Sequence, residues 1–231
     1  MLHAADATVD VRIAVFVPLP CLDRYIQVSA QPVAGSKVIG HVAGEWPGGV
    51  AANFAVAAAL LGARVDAFGW AGSDRTSEIC VESLAVEGVA VDLISVHPGI
   101  YPYATIILVD PSGERSVIHL PAARPNEPEA SWPSELAQRN FDLCYFSSWD
   151  TLAVTLARTV KSTGGLVACT LETTAIAAPS FAWAELLLID LLFLSSEAAV
   201  ALGWNLESPS ILPALWSEGP PVIVITLGAQ G

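Results

Sequence analysis

The carboxyl-terminal half of the chain alternates between short apolar runs and helical patterns, and this alternation limits the possible folds most strongly. Uninterrupted apolar runs, such as those at 166–170 and 222–226, are typical of strands that are buried on both faces. Because parallel neighbours need long crossovers, the helical patterns between the runs predict an α/β fold in which helices flank a mostly parallel sheet. In this half we expect strands at 142–146, 166–170, 191–194 and 222–226 and helices at 151–161, 178–188, 196–202 and 211–216.

The amino-terminal half adds strands of the same kind and a second set of extended segments with a different character. We expect buried strands at 11–17, 64–70 and 91–96, a helix from the Gly-Gly pair to about 61, and a helix capped by Ser73 that runs to about 87. Extended pieces at 25–29 and 37–42 and a hairpin at 103–109 and 115–120 predict a small β lid. We therefore expect one domain over 1–231, with lid strands at about 23–43 and 100–120, and a Pro-rich loop at "AARPNEPEASWP".

The composition excludes several classes of partner. The 231 residues carry a formal net charge of -13, which disfavours nucleic acids and anionic membrane surfaces as ligands. No apolar run is long enough to cross a membrane. The four cysteines are scattered without a CxxC pair, which indicates reduced thiols in a cytoplasmic protein rather than a zinc site or disulfides. The four histidines stand alone in the sequence, and we expect no special role for them.

The stretch "WPGGVAANFAVAAALLGARV" is the first candidate for a ligand site. Gly48 and Gly49 lead directly into an apolar helix, where a ligand can approach the backbone and unpaired N–H groups closely. Asn53 is the single polar residue near the helix start, and its amide both donates and accepts hydrogen bonds. These features suit a polyhydroxylated ligand, but a plain glycine loop with a capping or exposed Asn explains them as well. A P-loop and a GxGxxG fingerprint are both absent from the sequence.

The same stretch, extended to "GGVAANFAVAAALLGARVDAFGWAGSD", resembles the amino-terminal signature of the ribokinase-like, PfkB-type sugar kinases. Further segments resemble that family in the same order along the chain. "YPYATIILVDPSGERSVI" is similar to its lid hairpin, "LLFLSSEAAVALG" to the start of its nucleotide half, and "VIVITLGAQG" to the turn beside ATP. Ser195 and the strand-end Glu172 look most like the ketohexokinase branch.

The resemblance implies an enzyme that uses ATP and Mg²⁺ to phosphorylate a hydroxymethyl group of a sugar or nucleoside. In such enzymes an Asp removes the hydroxyl proton, and the helix start of a Gly-Ala-Gly-Asp motif holds the transferring phosphate. By resemblance, the sugar-contacting positions are Asp23, Gly48, Gly49 and Asn53, with Arg115 as a cation of the lid hairpin. The positions at the nucleotide are Ser195, Glu197, Thr226 and Gly228.

The sequence also departs from the family pattern. Ser195 stands where relatives have the Asn of an Asn-x-x-Glu pair that organises Mg²⁺, Ala198 stands in the Glu position, and the neighbouring Glu197 is a possible substitute. Gly-Ala-Gly-Asp does not occur, so we expect the catalytic Asp to lie beyond Gly231 and residues 1–231 to have little or no kinase activity. The alternative is a non-catalytic sugar- or nucleoside-binding protein.

The lid strands leave the oligomeric state open. Their apolar residues, Ile26, Val28, Ile106 and Leu108 among them, suit either a homodimer through the lid or packing of the lid on its own body. The sequence does not distinguish between a ketohexose, ribose, a sugar acid and a nucleoside as the ligand.

Overall fold

The larger of two sheets has seven strands, all paired in parallel. The computed structural model describes residues 10–178, 181, 183–206 and 220–228. The strands of this sheet are β1 (Arg12–Val17), β4 (Arg64–Gly72), β5 (Ala90–His97), β8 (Leu143–Phe146), β9 (Leu166–Leu171), β10 (Leu191–Ser195) and β11 (Val222–Thr226). Their spatial order is β11-β10-β9-β8-β1-β4-β5. The parallel sheet expected from the alternating pattern is confirmed, and each predicted strand lies in it. The burial predicted for 222–226 is wrong: β11 is the edge strand, and Val222 and Val224 are exposed among the described residues.

Helices cover both faces of this sheet. They are α1 (Val50–Leu60), α2 (Arg75–Val86), α3 (Trp132–Arg139), α4 (Thr151–Ser162), α5 (Thr173–Ile176) and α6 (Ser196–Ala201), with a 3₁₀ helix at Trp183–Leu188. The central strand β1 shows why the apolar runs are uninterrupted. Ile13 and Val15 pack into the core beneath α1 and α2, whereas Ala14 and Phe16 pack into the core on the opposite face. Because both faces of the strand are buried from Ile13 onward, every position of β1 after Arg12 is apolar.

Helix α3 was not predicted, because its sequence follows a Pro-rich stretch that we expected to be a loop. The helix begins at Trp132, and Pro133 lies in its first turn, where the missing backbone N–H leaves no hydrogen bond unmade. Trp132 is buried against Phe16, Phe68 and Trp70, with ring centroids 4.7 to 6.1 Å away. Packing of this aromatic cluster therefore fixes a helix that the local composition disfavours.

Two other local predictions were wrong in detail. The residue that caps α2 is Asp74 rather than Ser73: its Oδ1 accepts hydrogen bonds from the backbone N–H groups of Thr76 and Ser77 at 3.0 and 3.1 Å. Burial pushes the pKa of Asp74 upward, but bonds from Ser77 and Thr76 outweigh it and the pKa lies below its ordinary value. The helix expected at 178–188 is instead the 3₁₀ helix, which follows α5.

Part of that prediction cannot be compared with the fold. Residues 179, 180 and 182, and the whole helix expected at 211–216, lie outside the described residues.

The second sheet is small and is built from segments that follow β1 and β5 in the chain. Its strands are β2 (Cys21–Val28), β3 (Gly40–Gly48), β6 (Tyr103–Val109) and β7 (Arg115–Leu120), in the order β3-β2-β6-β7. Strands β2 and β6 pair in parallel, and the outer pairs are antiparallel. The small β lid expected from the sequence is present, and we call it the small sheet. Within the described residues, no helix is both long and apolar enough to cross a membrane.

Candidate functional site

The carboxyl edge of the large sheet collects most of the residues that the sequence singled out. In a parallel sheet all strands end on the same edge, and ligands bind in the crevices there. The chain leaves β1 at this edge to enter β2 of the small sheet, and β3 returns directly into α1. The residues that follow β9, β10 and β11 lie at the same edge. Two groups of polar residues form there, one beside α1 and one beyond the ends of β9 to β11.

Asp23, Gly48 and Gly49 form the first group. Gly48 pairs with Cys21 across β2 and β3, and a Cβ on Gly48 would lie 2.1 Å from the Asp23 Oδ2 atom. The Asp23 carboxylate therefore lies directly over the backbone of Gly48, in space that only a glycine leaves open. Gly49 precedes α1 with a φ of 92°, a left-handed conformation that favours glycine, and no side chain caps the helix there. The structure thus brings these three residues together.

Asn53 lies on α1 close to this group. Its backbone N–H donates to the Gly49 carbonyl at 2.9 Å, whereas its exposed carboxamide has no hydrogen-bond partner within the described part of the chain. The side chain does not cap α1, so of the two forms of the plain alternative, a capping or an exposed Asn, the exposed one is the form that the structure shows. Asn53 lines a cavity of about 40 Å³ together with Cys21 and Gly48. A free amide beside a glycine backbone can bind a hydroxylated ligand.

Two buried thiols lie beneath Asp23. The Cys21 thiol donates to Asp23 Oδ1 at 3.4 Å, and the Cys80 thiol donates to the Cys21 carbonyl at 3.4 Å. Burial raises the pKa of Cys21 to about 12 and that of Cys80 to about 11. Both groups therefore stay protonated at neutral pH, and Cys21 can act as a donor that holds the Asp23 carboxylate in place.

Arg115 is not brought to this group. It is exposed at the start of β7, where it pairs with Val109 at the far end of the hairpin. The residue of β7 in register with Asp23, through Thr105 of β6, is His119. The end of the hairpin that carries Arg115 is thus the one away from Asp23.

The second group lines a cavity of about 650 Å³ beyond the ends of β9, β10 and β11. Its polar lining includes Thr170, Glu172, Ser195, Glu197 and Thr226. Ser195 and Thr226 are paired in register on β10 and β11, which explains their proximity. The cavity is large enough for a small-molecule ligand or cofactor, and its lining includes two carboxylates and several Ser and Thr hydroxyls.

Each nucleotide-side residue predicted from the sequence has a defined local role. The Ser195 Oγ atom accepts the Ala198 backbone N–H at 3.1 Å and so caps α6. Glu197 is exposed, and hydrogen bonds from its own backbone N–H and from the Ser195 and Ser196 side chains lower its pKa. The Thr226 hydroxyl donates to the Leu194 carbonyl at 3.4 Å. Gly228 has a φ of 59° with open space around its Cα, as expected for a turn glycine.

A stacked aromatic pair that the sequence did not indicate separates the two groups. The rings of Phe54 on α1 and Tyr145 on β8 lie 3.7 Å apart and are tilted by 3°. The Tyr145 hydroxyl donates to Thr170 Oγ1 at 2.7 Å, and burial raises the pKa of Tyr145 to about 12. Phe54 directly follows Asn53, so the pair connects the wall of the large cavity to the start of α1.

The sequence also missed two contacts that hold the Pro-rich segment to this edge. Arg124 forms a largely buried ion pair with Asp150, whose other oxygen caps α4 by accepting the Ala153 N–H at 3.0 Å. Glu129 accepts a hydrogen bond from Trp70 at 2.6 Å and contacts His97 Nε2 at 2.7 Å. His97, which stands alone in the sequence, thus has a carboxylate partner in the fold. No sequence motif indicates pairs of this kind, because the partners lie at least 26 residues apart.

Comparison with known families identifies this arrangement. The sequence profile of the pfkB family carbohydrate kinases matches residues 19–231. The chain belongs to the pfkB family. Kinases of the pfkB family are ATP-dependent phosphotransferases, and the matched range includes both groups of polar residues described above.

Solved structures show the same fold at low sequence identity. The ribokinase of Arabidopsis thaliana complexed with ribose and ATP superposes with a TM-score of 0.76 at 18% identity, covering 96% of this chain and 73% of that chain. An adenosine kinase from Sinorhizobium meliloti gives a TM-score of 0.73 at 21% identity over 96% of this chain and 75% of that chain. A fructokinase with bound ATP from Xylella fastidiosa gives a TM-score of 0.71 at 22% identity, covering 94% of this chain and 69% of that chain. At these identities the likeness demonstrates the ribokinase-like fold of the pfkB chain.

Proposed function

We propose that this protein is a sugar kinase that transfers the γ-phosphoryl group of ATP to a hydroxymethyl group of its substrate. The observation that carries the proposal is the seating of the Asp23 carboxylate over the Gly48 backbone, 2.1 Å from where a Cβ would lie. This contact keeps a charged acceptor at a glycine-lined helix start, which is the chemistry that a polyhydroxylated ligand needs. Membership of the pfkB family and the ribokinase-like fold support the same proposal.

At the sugar end, Asp23, Gly48, Gly49 and Asn53 have complementary roles in this proposal. The carboxylate accepts hydrogen bonds from sugar hydroxyls, and the free Asn53 carboxamide both donates and accepts. The glycines let the ring approach the backbone. Arg115 lies at the far end of the hairpin and is outside the sugar site that we propose.

At the other end, we propose that the 650 Å³ cavity binds ATP, with Ser195, Glu197, Thr226 and Gly228 on its side of the sheet. The donor set fits Mg²⁺, because Glu172 and Glu197 both line this cavity, and Mg²⁺ is commonly held by one or two carboxylates together with substrate phosphates. When bound, Mg²⁺ neutralises negative charge on the phosphates. Ser195 already caps α6, so its hydroxyl orients that helix start and leaves the carboxylates as the metal-side groups.

We further propose that residues 1–231 bind both ligands but transfer the phosphoryl group very slowly. The sequence contains no Gly-Ala-Gly-Asp segment, which relatives use as general base and phosphate-binding helix start. Loss of both functions together slows transfer by on the order of 10⁴-fold or more. A non-catalytic sugar- or nucleoside-binding protein is the second candidate, since the Asp23 carboxylate over Gly48 and the exposed Asn53 amide suit binding whether or not transfer follows.

Isothermal titration calorimetry combined with an ADP-release assay tests the proposal on the 231-residue chain. We expect the chain to bind ATP with Mg²⁺ and at least one of D-fructose, D-ribose and adenosine. Asn53→Ala should lower the affinity for that ligand by roughly tenfold, because the hydrogen bond from the Asn53 amide to the ligand is lost. Sugar-stimulated ADP release would contradict slow transfer but support the kinase. Absence of binding by every sugar and nucleoside would overturn the sugar site, and an unchanged affinity in Asn53→Ala would remove Asn53 from it.

We also propose a homodimer through the outer face of the small sheet. The side of the sheet opposite Asp23 carries four apolar residues, Ile106 and Leu108 on β6 and Ile118 and Leu120 on β7, beside the polar Arg24 and Ser116. Ile118 and Leu120 are exposed by 47% and 46%. We expect a dimer in sedimentation analysis at micromolar concentration, and a monomer for Ile118→Lys. Val117→Lys is the matched control, because Val117 is exposed on the same strand but on the other face. Monomers at all concentrations would overturn this proposal.

A cytoplasmic location is part of the proposal as well. All four cysteines are free and buried in the structure, which suits a reducing compartment.

A further inference from the structure

The face of the small sheet that carries Asp23 also carries a histidine. Asp23 on β2 is in register with Thr105 on β6, and Thr105 is in register with His119 on β7. Residues directly opposite each other on neighbouring strands point to the same face. The three side chains therefore form one row across the small sheet, which starts at the proposed sugar site and ends at the edge strand.

Side-chain contacts run along this row without a gap. The Cys21 thiol donates to Asp23 Oδ1 at 3.4 Å, and its sulfur lies 3.3 Å from the Thr105 hydroxyl. The same hydroxyl lies 3.4 Å from Nδ1 of His119. Thr105 is buried, whereas His119 is exposed. The row thus has a buried centre and two accessible polar ends, which are Asp23 and His119.

The orientation of the imidazole is set from two sides. Thr105 contacts Nδ1, and the Tyr103 ring lies 5.3 Å away between centroids, tilted by 38°. Nε2 of His119 has no hydrogen-bond partner among the described residues. If Thr105 donates to Nδ1, Nε2 carries the proton and donates; if Nδ1 donates to Thr105, Nε2 accepts. A sugar hydroxyl can pair with either form.

We propose that His119 is a specificity-determining residue of the sugar site and binds a hydroxyl of a monosaccharide on the side away from Asp23. This rests on the proposed function, because Asp23 marks the other end of the same ligand. Two strand spacings separate β2 from β7, which is about 10 Å between backbones, so a monosaccharide ring that lies across the row can reach both ends of it. The basic side chain that the hairpin brings to the sugar is thus His119 and not Arg115.

A site that hydrogen-bonds a hydroxyl discriminates strongly against the analogue that lacks it, because the polar group of the protein is then left unpaired. His119 therefore selects sugars that carry a hydroxyl at one ring position. Replacing the imidazole by an apolar side chain should lower the affinity for the complete sugar and leave the affinity for the matching deoxy-sugar almost unchanged. This difference separates a direct contact from a general effect on the small sheet.

The test uses titration calorimetry of the 231-residue chain with D-fructose and D-ribose, followed by the monodeoxy analogues of the tighter sugar. We expect His119→Leu to lower the affinity for the complete sugar by roughly five- to tenfold and to leave the affinity for one deoxy analogue unchanged. His119→Gln should retain part of the affinity that His119→Leu loses. His41→Leu is the matched control, since His41 is also exposed on the small sheet but pairs with Gln27 near the other end of β2. Asp23→Asn reports on the proposed site itself.

The outcomes separate the two ideas. If Asp23→Asn lowers the affinity for the sugar and His119→Leu does not, the role of His119 is refuted and the sugar site stands. Equal weakening of every deoxy analogue by His119→Leu also refutes a direct contact. If neither sugar binds the unchanged chain, or if Asp23→Asn is without effect, the site and the role of His119 are both overturned.

Discussion

Gly69→Ala is expected to destabilise the fold severely. Gly69 is in register with Val17 on β1 and with Ile94 on β5, so it lies in the interior of the parallel sheet. A Cβ at this position would lie 1.7 Å from the backbone carbonyl oxygen of Val17 and 2.7 Å from its carbonyl carbon. Backbone atoms of a paired strand cannot move aside as the end of a side chain can. We expect a loss of more than about 4 kcal/mol, which is most of the stability of an ordinary domain.

Urea unfolding followed by circular dichroism measures this loss, and Gly62→Ala is the control. Gly62 also has a positive φ, of 94°, but a Cβ there would have no other atom within 4 Å. Ala at Gly62 should therefore cost only the left-handed backbone penalty of about 1 kcal/mol. A Gly69→Ala protein that unfolds at the same urea concentration as Gly62→Ala would show that β1 and β4 are not paired in this register.

Gly48→Ala is expected to abolish most sugar binding while the fold is retained. The added methyl would lie 2.1 Å from Asp23 Oδ2 and 2.8 Å from Cγ, so the carboxylate must turn away. Gly48 is not among the glycines with a left-handed φ, and alanine can adopt its backbone conformation. Hydrogen bonds to charged groups contribute about 1.5–3 kcal/mol, so the sugar affinity should fall by roughly 10- to 100-fold.

The comparison with Asp23→Asn makes this prediction specific. Both single variants should bind the sugar with lower affinity in calorimetry. The affinity of the double variant should be little lower than that of either single variant, because both substitutions act on the same carboxylate. Gly35→Ala is the control, because Gly35 lies in the connection between β2 and β3 and a Cβ there would meet no other atom within 4 Å. Its sugar affinity should be unchanged. Additive effects of Gly48→Ala and Asp23→Asn would mean that the contact between these residues does not position the ligand.

The predicted strands were the most accurate part of the sequence analysis. Those at 11–17 and 166–170 match β1 and β9 to within a residue, because residues that are buried on both faces of a strand form short apolar runs, here at 13–17 and 166–169. Helix α3 was missed because prolines dominate its surroundings, and the burial of Trp132 that stabilises it is a tertiary contact. The cap of α2 was also misassigned. The cap is Asp74, because its carboxylate is the side chain that reaches the backbone N–H groups of Thr76 and Ser77.

The glycines and the acidic residue of the proposed sugar site could be chosen from the sequence because the choice depends on residue type and short spacing. Gly48 and Gly49 are adjacent, and the family signature places Asp23 after the first strand. The cation of the hairpin could not be chosen in this way. Arg115 and His119 are both on β7, and only the register with β6 determines that His119 is the one in line with Asp23.

The sequence by itself therefore determined the α/β class, the positions of its buried strands and the pfkB signature, because each depends on residues that are neighbours along the chain. The tertiary structure decided that Ser195 caps α6, that Phe54 stacks on Tyr145, and that His119 shares a row with Asp23. These contacts join elements whose relative register and packing depend on the whole core. Local pattern cannot specify them, since a shift of one residue along a strand would move every side chain to the opposite face of the sheet.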